Sequence, residues 1–280
     1  MTKRTLHLAL LAAACLASAA ACGQIAAGPT ASAPAVPSPA APAPAAPAPT
    51  PPPKAADAGA PRSLLPGPGM AGWKKPTGDW QMVGEAARDP ADEKAIAARP
   101  GAGAIYNGPK GRTVNIFTEE EFGDAALHVE FMIPKGSNSG VYLMGRYEIQ
   151  IYDSFGVDKD KYPGIECGGI YERWDPSRGK GREGFEGRSP RANASRPPGE
   201  WQTFDILFRA PRFDAAGNKT ANAKFVKVVH NGQVVHENVE VTGPTRGAAF
   251  NDEKPAGPLM LQGDHGPVAY RNLTVSPLRP

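Results

Sequence analysis

Short runs of alternating apolar and polar residues make up most of the chain after Gly72. Between residues 127 and 133 the apolar side chains occupy every second position, with His128 and Glu130 between them. This period of two is that of a strand with one buried face. Other short apolar-rich runs, separated by Gly, Pro, Asn or Asp, occur at residues 79–85, 114–117, 146–152, 203–208, 224–230, 234–241, 259–262 and 268–275. They predict a series of short strands.

The segments between these runs carry turn signals. Asn231-Gly232 lies between two of the runs and is a pair that closes two-residue β-hairpins. Residues 101–103 (Gly-Ala-Gly) are expected to form a turn, and a short helix is expected only at residues 89–98. Many short strands with turns between them predict an all-β protein, a sandwich or a barrel.

The amino-terminal segment has the features of a targeting signal. Lys3 and Arg4 precede an apolar run at residues 6–16, which is too short to span a bilayer comfortably, and small residues at 19–21 precede Cys22. Residues 1–22 are therefore predicted to export the protein. The small residues before Cys22 resemble the lipobox of bacterial lipoproteins, which predicts lipidation of Cys22 and a periplasmic or outer-membrane-anchored protein. Cleavage after Ala21 by the ordinary signal peptidase is the alternative.

Residues 23–61 are composed almost entirely of Ala, Pro, Ser, Thr and Gly. Such a segment buries too little surface to fold, so we expect a disordered tether ahead of a domain at residues 62–280. The first 61 residues also contribute +2 of the net charge of +3. The domain is therefore near neutral, which argues against nucleic acid as a partner.

The three cysteines do not form a disulfide framework. Cys15 lies in the apolar run of the signal segment, Cys22 is the predicted lipidation site, and Cys167 stands alone in the domain. We expect Cys167 to fill space in the core and not to act in catalysis. The sequence contains no HExxH, CxxC or GxSxG motif, so the commonest zinc, redox and hydrolase sites are absent.

Four histidines lie in the predicted domain. His128 falls on a strand, while His230 and His236 flank the predicted hairpin turn, where we expect exposure to solvent. His265 lies in the glycine-flanked loop Gly263-Asp264-His265-Gly266. Loops held on a rigid sheet often carry functional residues, so His265 is the functional candidate among the four.

The run at residues 146–152 has two unlike faces. One face carries Tyr and Ile, and the other carries Arg146, Glu148, Gln150 and Tyr152. Donors, acceptors and an aromatic ring on one face suit a sugar. A solvated outer face explains the same pattern equally well.

Four segments of the chain, in order, carry a likeness to a known family. They are NSGVYLMGRYEIQIYDS at 138–154, PPGEWQTFDILFRAP at 197–211, NGQVVHENVEVTGPT at 231–245 and GPLMLQGDHGPVAYRNLTV at 257–275. Together they resemble the 3-keto-disaccharide hydrolase domain family, over about residues 73–278. The family's final motif has the shorter form LQ-x-HG, whereas here two residues, Gly263 and Asp264, stand between Gln262 and His265, which is one residue more.

The resemblance implies a fold and a reaction. The fold is a concanavalin A-like jelly-roll sandwich, and the substrate is a glycoside oxidised at C3 of the sugar. A C3 ketone acidifies the hydrogen at C2, so a base can remove it, the group at C1 leaves by elimination, and water addition completes a net hydrolysis. Direct hydrolysis is the other route, and a non-catalytic carbohydrate-binding module is the alternative function.

Residue types in the matched segments give the candidate site. Glu148 and His265 are the predicted catalytic acid and base, in either order. The predicted substrate-binding residues are Asn138, Arg146, Gln150, Asp153 and Arg271. We expect no obligatory cofactor, although Glu148 and Asp153 are oxygen ligands that suit a divalent cation.

Two further features of the sequence bear on the site. Glu148 and Asp153 are five residues apart, which places them roughly 16 Å apart on opposite faces of a straight strand. They therefore do not form the carboxylate pair of an ordinary glycosidase.

Residues 175–194 are rich in Arg and Gly, and form either a charged surface excursion or part of the substrate rim.

Overall fold

The structure is a computed structural model that describes residues 59–278 except 66, 68 and 159–163. The described residues contain sixteen strands and one 3-10 turn. The predicted signal segment, Cys22 and residues 23–58 of the tether lie outside the described residues. The strands are β1 Arg62–Ser63, β2 Gln81–Arg88, β3 Ile96–Tyr106, β4 Ile116–Phe122, β5 Ala125–Met132, β6 Asn138–Leu143, β7 Tyr147–Tyr152, β8 Arg173–Trp174, β9 Gly184–Phe185, β10 Gln202–Arg209, β11 Arg212–Phe213, β12 Lys219–Ala221, β13 Ala223–His230, β14 Gln233–Val241, β15 Gly257–Leu261 and β16 Ala269–Pro277, and the 3-10 turn is Pro176–Arg178.

The strands form two principal antiparallel sheets. The larger sheet has the order β14-β13-β10-β5-β16-β3-β2, with β1 paired to β16, and the smaller has the order β4-β15-β6-β7. Two short ribbons, β8-β9 and β11-β12, complete the described strands. None of the described segments forms a helix with the length and apolarity that crossing a bilayer requires.

One hydrophobic core lies between the two sheets. Strand β10 contributes Phe204, Ile206 and Phe208, and β7 contributes Tyr147 and Ile149. The rings of Tyr147 and Phe208 meet across the core with 5.4 Å between their centroids. The predicted all-β sandwich is confirmed, because apolar residues of β5, β7, β10, β13 and β16 meet in this core. A smaller apolar cluster that includes Val83, Ile96 and Tyr106 lies apart from it.

The β13-β14 hairpin confirms the predicted turn. Asn231 and Gly232 both have positive φ, 48° and 81°, as a type I′ turn requires. The helix expected at residues 89–98 is wrong. The Asp89 carboxylate accepts hydrogen bonds from the backbone of Ala91 and Asp92, which closes a turn, and β3 begins at Ile96.

The expected turn at residues 101–103 is also wrong, because this segment lies inside β3. Its glycines permit a close approach of two strands. A Cβ on Gly101 would lie only 2.6 Å from the Cα of Gly84 in β2. The backbone contact between the neighbouring strands explains the glycine at this position.

His230 and His236 are buried and not exposed, which corrects the sequence expectation. The Nε2 atom of His230 lies 3.0 Å from Gln202 Oε1, and Nε2 of His236 lies 2.8 Å from the carbonyl oxygen of Gly168. Burial lowers the pKa of His230 to about 3 and that of His236 to about 4. Both rings lie on the inward face of the hairpin. The alternation of apolar and polar residues near the turn does not show which face of the hairpin is buried.

Candidate functional site

The outer face of the smaller sheet carries the candidate site. Strands β6 and β7 pair Tyr142 with Glu148 and Gly140 with Gln150. The neighbouring residues Val141 and Ile149 face the core, so these four residues face outward. All four are nevertheless buried, because loops cover this face. The polar residues of this face are therefore neither part of the hydrophobic core nor exposed to solvent.

Both neighbours of the β6-β7 pair extend this face. On the β6 side, the Gln262 N–H donates to the Gly140 carbonyl at 3.0 Å. On the β7 side, Ile149 bridges Ile170, and the Tyr171 N–H donates to the Glu148 carbonyl at 3.3 Å. Two rows of residues therefore cross the sheet: Met260, Tyr142, Glu148 and Tyr171 in one, and Gln262, Gly140, Gln150 and Gly169 in the other.

The Glu148 carboxyl group lies over Gly140. A Cβ on Gly140 would overlap Glu148 Oε1, so the glycine provides the space that the carboxyl group occupies. Burial raises the pKa of Glu148 to about 8, a hydrogen bond from the Tyr142 hydroxyl acts in the opposite direction, and the charge of Asp264 raises it further. The group is therefore able to exchange a proton near neutral pH.

Three buried oxygen atoms on this face have no hydrogen-bond partner among the described residues. They are Glu148 Oε2, Gln150 Oε1 and Gln262 Oε1. An unsatisfied buried acceptor costs about 1–3 kcal/mol, so three on adjacent positions of one face indicate a ligand that supplies donors. The spaces above the two glycines beside Gln150 are filled: a Cβ on Gly140 would meet the Glu148 carboxyl group, and one on Gly169 would meet backbone atoms of Gly164 and Glu166. A polyhydroxylated ring has the donors that these atoms lack.

Arg146 shares the outer face but does not join the three acceptors. All three guanidinium nitrogens donate to backbone or side-chain oxygens of Asp252 and Met144, at 2.6–2.9 Å. The guanidinium also lies 4.6 Å from the centre of the Phe250 ring. Arg146 precedes the first residue of β7 and holds the loop at residues 244–252 in place, so its observed role is structural.

His265 lies on the rim of the face. Its Nδ1 atom lies 2.6 Å from Asp264 Oδ1, and its side chain is 51% exposed. Asn107 Nδ2 fixes the loop by donating to the carbonyl oxygens of Gly263 and Gly266. Within the described residues no hydrogen bond joins His265 to Glu148. The loop is nevertheless close enough for the Asp264 charge to affect the pKa of Glu148.

Arg271 lies on the other sheet, which corrects its grouping with Glu148. Its neighbour Tyr270 faces the core, so Arg271 points to the outer face of the larger sheet. There its Nε donates to Glu130 Oε2 at 2.6 Å, and its guanidinium lies 4.1 Å from the centre of the Trp201 ring. The resemblance in sequence could not show that β16 belongs to the opposite sheet.

Asn138 and Asp153 lie at the end of the site away from Arg146. Asn138 is paired with Tyr152, one row beyond Gln150 on the same face. Asp153 follows β7 and accepts a hydrogen bond from the Gly136 N–H at 2.8 Å, so it anchors a turn. No group of three His, Cys, Asp or Glu side chains suited to a metal ion occurs within the described ranges. The divalent cation stays a prediction.

The sequence interpretation missed three residues of the site: Tyr142, Tyr171 and Gln262. Tyr142 stands opposite Glu148. Burial raises the pKa of Tyr171, and the charge of Glu148 raises it further. A signal existed for Gln262, which precedes the glycine-rich loop that contains His265. No local signal existed for Tyr171, since its place beside β7 depends on a long-range pairing.

Comparison with known proteins identifies the family and the fold. The family model of the 3-keto-alpha-glucoside-1,2-lyase-like domain matches residues 60–276. A crystal structure from Parabacteroides distasonis ATCC 8503, provisionally named a glycosyl hydrolase, is 25% identical over 80% of this chain and 84% of its own, with a TM-score of 0.55. A second structure with the same provisional name and source is 19% identical over 79% of this chain and 100% of its own, with a TM-score of 0.50, and supports the fold alone. No functionally curated protein matches the chain.

The resemblance that the four sequence segments carry is thereby confirmed over most of the chain. Family and structural likeness agree on a carbohydrate-active protein of the glycosyl hydrolase kind. The two sheets of the sandwich lie almost entirely within the matched range, residues 60–276. The chain is a member of the 3-keto-alpha-glucoside-1,2-lyase-like domain family.

Proposed function

We propose that the protein cleaves 3-keto-glycosides, and that Glu148 transfers the proton that starts the reaction. The observation that carries this proposal is the buried Glu148 carboxyl group with its unpartnered Oε2 atom. This atom shares the face with the unpartnered Gln150 and Gln262 oxygens. Gln150 and Gln262 bind sugar hydroxyls, and Glu148 reacts with the ring that they hold.

The first step is removal of the hydrogen at C2. The Glu148 carboxylate takes the proton, and the electron pair of the C–H bond forms an enolate with the C3 ketone. A carboxylate whose conjugate acid has a pKa of about 8 is a stronger base than an exposed one, which has a pKa of about 4.3. Tyr171 and the amide nitrogens of Gln150 and Gln262 are the donors on this face that suit the enolate oxygen.

The second step expels the group at C1. The enolate restores the C3 carbonyl, a C1–C2 double bond forms, and the C1–O bond breaks. The departing oxygen takes a proton, for which His265 on the rim is the candidate donor. Water then adds its oxygen to C1 and a proton returns to C2, so the products are those of hydrolysis.

Purified protein incubated with 3-keto-trehalose and with ordinary trehalose tests this function. We expect sugar release from the keto substrate only. Glu148→Gln is expected to fold normally and to lose about 10²- to 10⁴-fold in rate. Glu121→Gln is the matched control, since Glu121 has an exposed carboxyl group on the remote strand β4 and should keep full activity.

Reaction in D₂O separates the two routes of cleavage. Elimination followed by hydration places deuterium at C2 of the released keto sugar, whereas direct hydrolysis leaves the original hydrogen. Full turnover by folded Glu148→Gln would contradict the role of Glu148. Binding of the keto sugar without any turnover by the unaltered protein would support a carbohydrate-binding module instead.

A further inference from the structure

An open pocket of about 470 Å³ lies beside the Glu148 face. One wall is formed by Arg173 and Trp174 of the β8-β9 hairpin, and the other by residues 244–248 and Asn251. The volume is within the range of about 300–1,000 Å³ that small-molecule sites occupy. Strand β9 of this hairpin lies in the Arg- and Gly-rich region 175–194, whose role the sequence left open, and β8 directly precedes that region.

The walls of this pocket are bonded to the immediate neighbours of Glu148. The Glu148 N–H donates to Thr245 Oγ1 at 3.1 Å, and the Arg246 N–H donates to the Glu172 carbonyl at 2.7 Å. Glu172 directly follows Tyr171, which pairs with Glu148. Gly247 faces the Tyr142 hydroxyl, since a Cβ on this glycine would lie 2.9 Å from that oxygen. The pocket therefore adjoins the end of the face where Glu148 lies.

The lining of the pocket combines an aromatic ring with balanced charge. The Trp174 side chain is 42% exposed, although the Arg246 guanidinium lies 3.9 Å from the centre of its ring. Each arginine of the lining is paired with a carboxylate: Arg246 Nη1 lies 3.1 Å from Glu172 Oε1, and Arg173 Nη1 lies 3.8 Å from Glu186 Oε2. An exposed indole with polar groups around it suits the apolar face and the hydroxyls of a neutral sugar ring better than an anion.

We propose that this pocket is the leaving-group subsite, and that it binds the second ring of a 3-keto-disaccharide against Trp174. The inference rests on the proposed function, because the keto ring must occupy the Glu148 face for the leaving group to reach Trp174. It goes beyond that function by assigning the residues that hold the second ring: a disaccharide is bound by two sites, whereas a glycoside with a small leaving group uses only one. The β8-β9 hairpin is then part of the substrate rim.

Binding measured by calorimetry in the Glu148→Gln protein tests the subsite without turnover. The ligands are 3-keto-trehalose and methyl 3-keto-α-glucoside, whose leaving group is too small to reach the pocket. We expect added Trp174→Ala to weaken binding of the disaccharide about tenfold and to leave binding of the methyl glycoside unchanged. Phe155→Ala is the matched control, because Phe155 is an aromatic residue that is 53% exposed and does not line this pocket.

The same pair of ligands distinguishes the possible failures. The subsite would be overturned if Glu148→Gln bound the disaccharide equally well with and without Trp174→Ala. It would also be overturned if Trp174→Ala weakened binding of both ligands equally. Absence of turnover by the unaltered protein, with the disaccharide-specific loss still present, would overturn the proposed function and leave the pocket as a sugar-binding site. In kinetics of the active protein, the Trp174→Ala effect is expected in KM for the disaccharide.

Discussion

At the residue scale, the alternation along β7 predicts the direction of the Glu148 side chain but not its burial. The alternation along β7 correctly placed Glu148 and Gln150 on one face, because successive side chains of a strand point to opposite sides. The burial of that face, and the overlap of the carboxyl group with the space above Gly140, depend on loops and on a neighbouring strand. Arg146 lies on the same face just before the strand, but its guanidinium donates to Asp252 and not toward the three unpartnered oxygens.

Glu148 is expected to make the protein less stable as pH rises. Its pKa is about 8 in the folded protein against an ordinary value of 4.5 for a free glutamate side chain, so the unfolded chain releases the proton first. Stability contributed by the bound proton is fully present below about pH 4.5 and is lost as pH rises to about 8. Glu148→Gln lacks this dependence and is expected to be the more stable protein at pH 8, by a few kcal/mol.

Urea unfolding of both proteins between pH 4.5 and 9 measures the effect. The difference in unfolding free energy should grow across the window and level off above about pH 8. Glu121→Gln again serves as the control and should follow the unaltered protein. If the unfolding free energies of the unaltered and Glu148→Gln proteins changed in parallel with pH, burial would not raise the pKa of the Glu148 carboxyl group.

At the element scale, a segment without regular structure completes the site. Residues 168–171 run along the free edge of β7, where the Gly168 N–H donates to the Gln150 carbonyl at 2.8 Å. His236 on β14 holds the same segment through the Gly168 carbonyl. The wall of the site beside Gln150 therefore depends on a neutral histidine in the core.

His236 and its neighbour His230 are expected to destabilise the protein in acid. Both have folded pKa values far below the ordinary histidine value of 6.5, so the unfolded chain binds protons first as pH falls. The stability they contribute is present above about pH 6.5 and is lost toward pH 4 and below. His236→Gln retains a donor for the Gly168 carbonyl and removes one titrating ring, which should reduce the loss.

Thermal unfolding at pH 7.5 and at pH 5 checks this expectation. His236→Gln should lose less of its midpoint temperature between the two values than the unaltered protein does. His265→Gln is a suitable comparison, since that side chain is 51% exposed. An equal loss in the unaltered and His236→Gln proteins would assign the acid sensitivity to other groups.

At the scale of the whole molecule, the domain is joined to its amino-terminal segment at a defined place. Gly59 N–H donates to the Pro277 carbonyl at 3.0 Å, and β1 pairs with β16. The family match begins at residue 60. The predicted tether therefore meets the sandwich at the end of its last strand, on the larger sheet and away from the outer face of the smaller one.

The lipobox-like segment predicts how the molecule is held at a membrane. Cys22→Ser should release the protein into the soluble fraction of cells that produce the full chain, because the lipid-bearing residue is removed. Cys15→Ser is the control, since Cys15 lies in the apolar run and is not a lipidation candidate. Unchanged membrane fractionation of Cys22→Ser would favour ordinary secretion or another anchor.

The sequence by itself determined the features that are local along the chain. Period-two alternation gave the strands and their two faces, the Asn231-Gly232 pair gave a hairpin turn, and four ordered segments gave the family. Tertiary structure alone decided which strands are neighbours, and therefore what is near Glu148. It brought Gln262 and Tyr171 to Glu148, placed Arg271 on the opposite sheet and buried His236. Side-chain direction follows from adjacent backbone, whereas burial, pKa and the composition of a site follow from pairings between residues far apart in sequence.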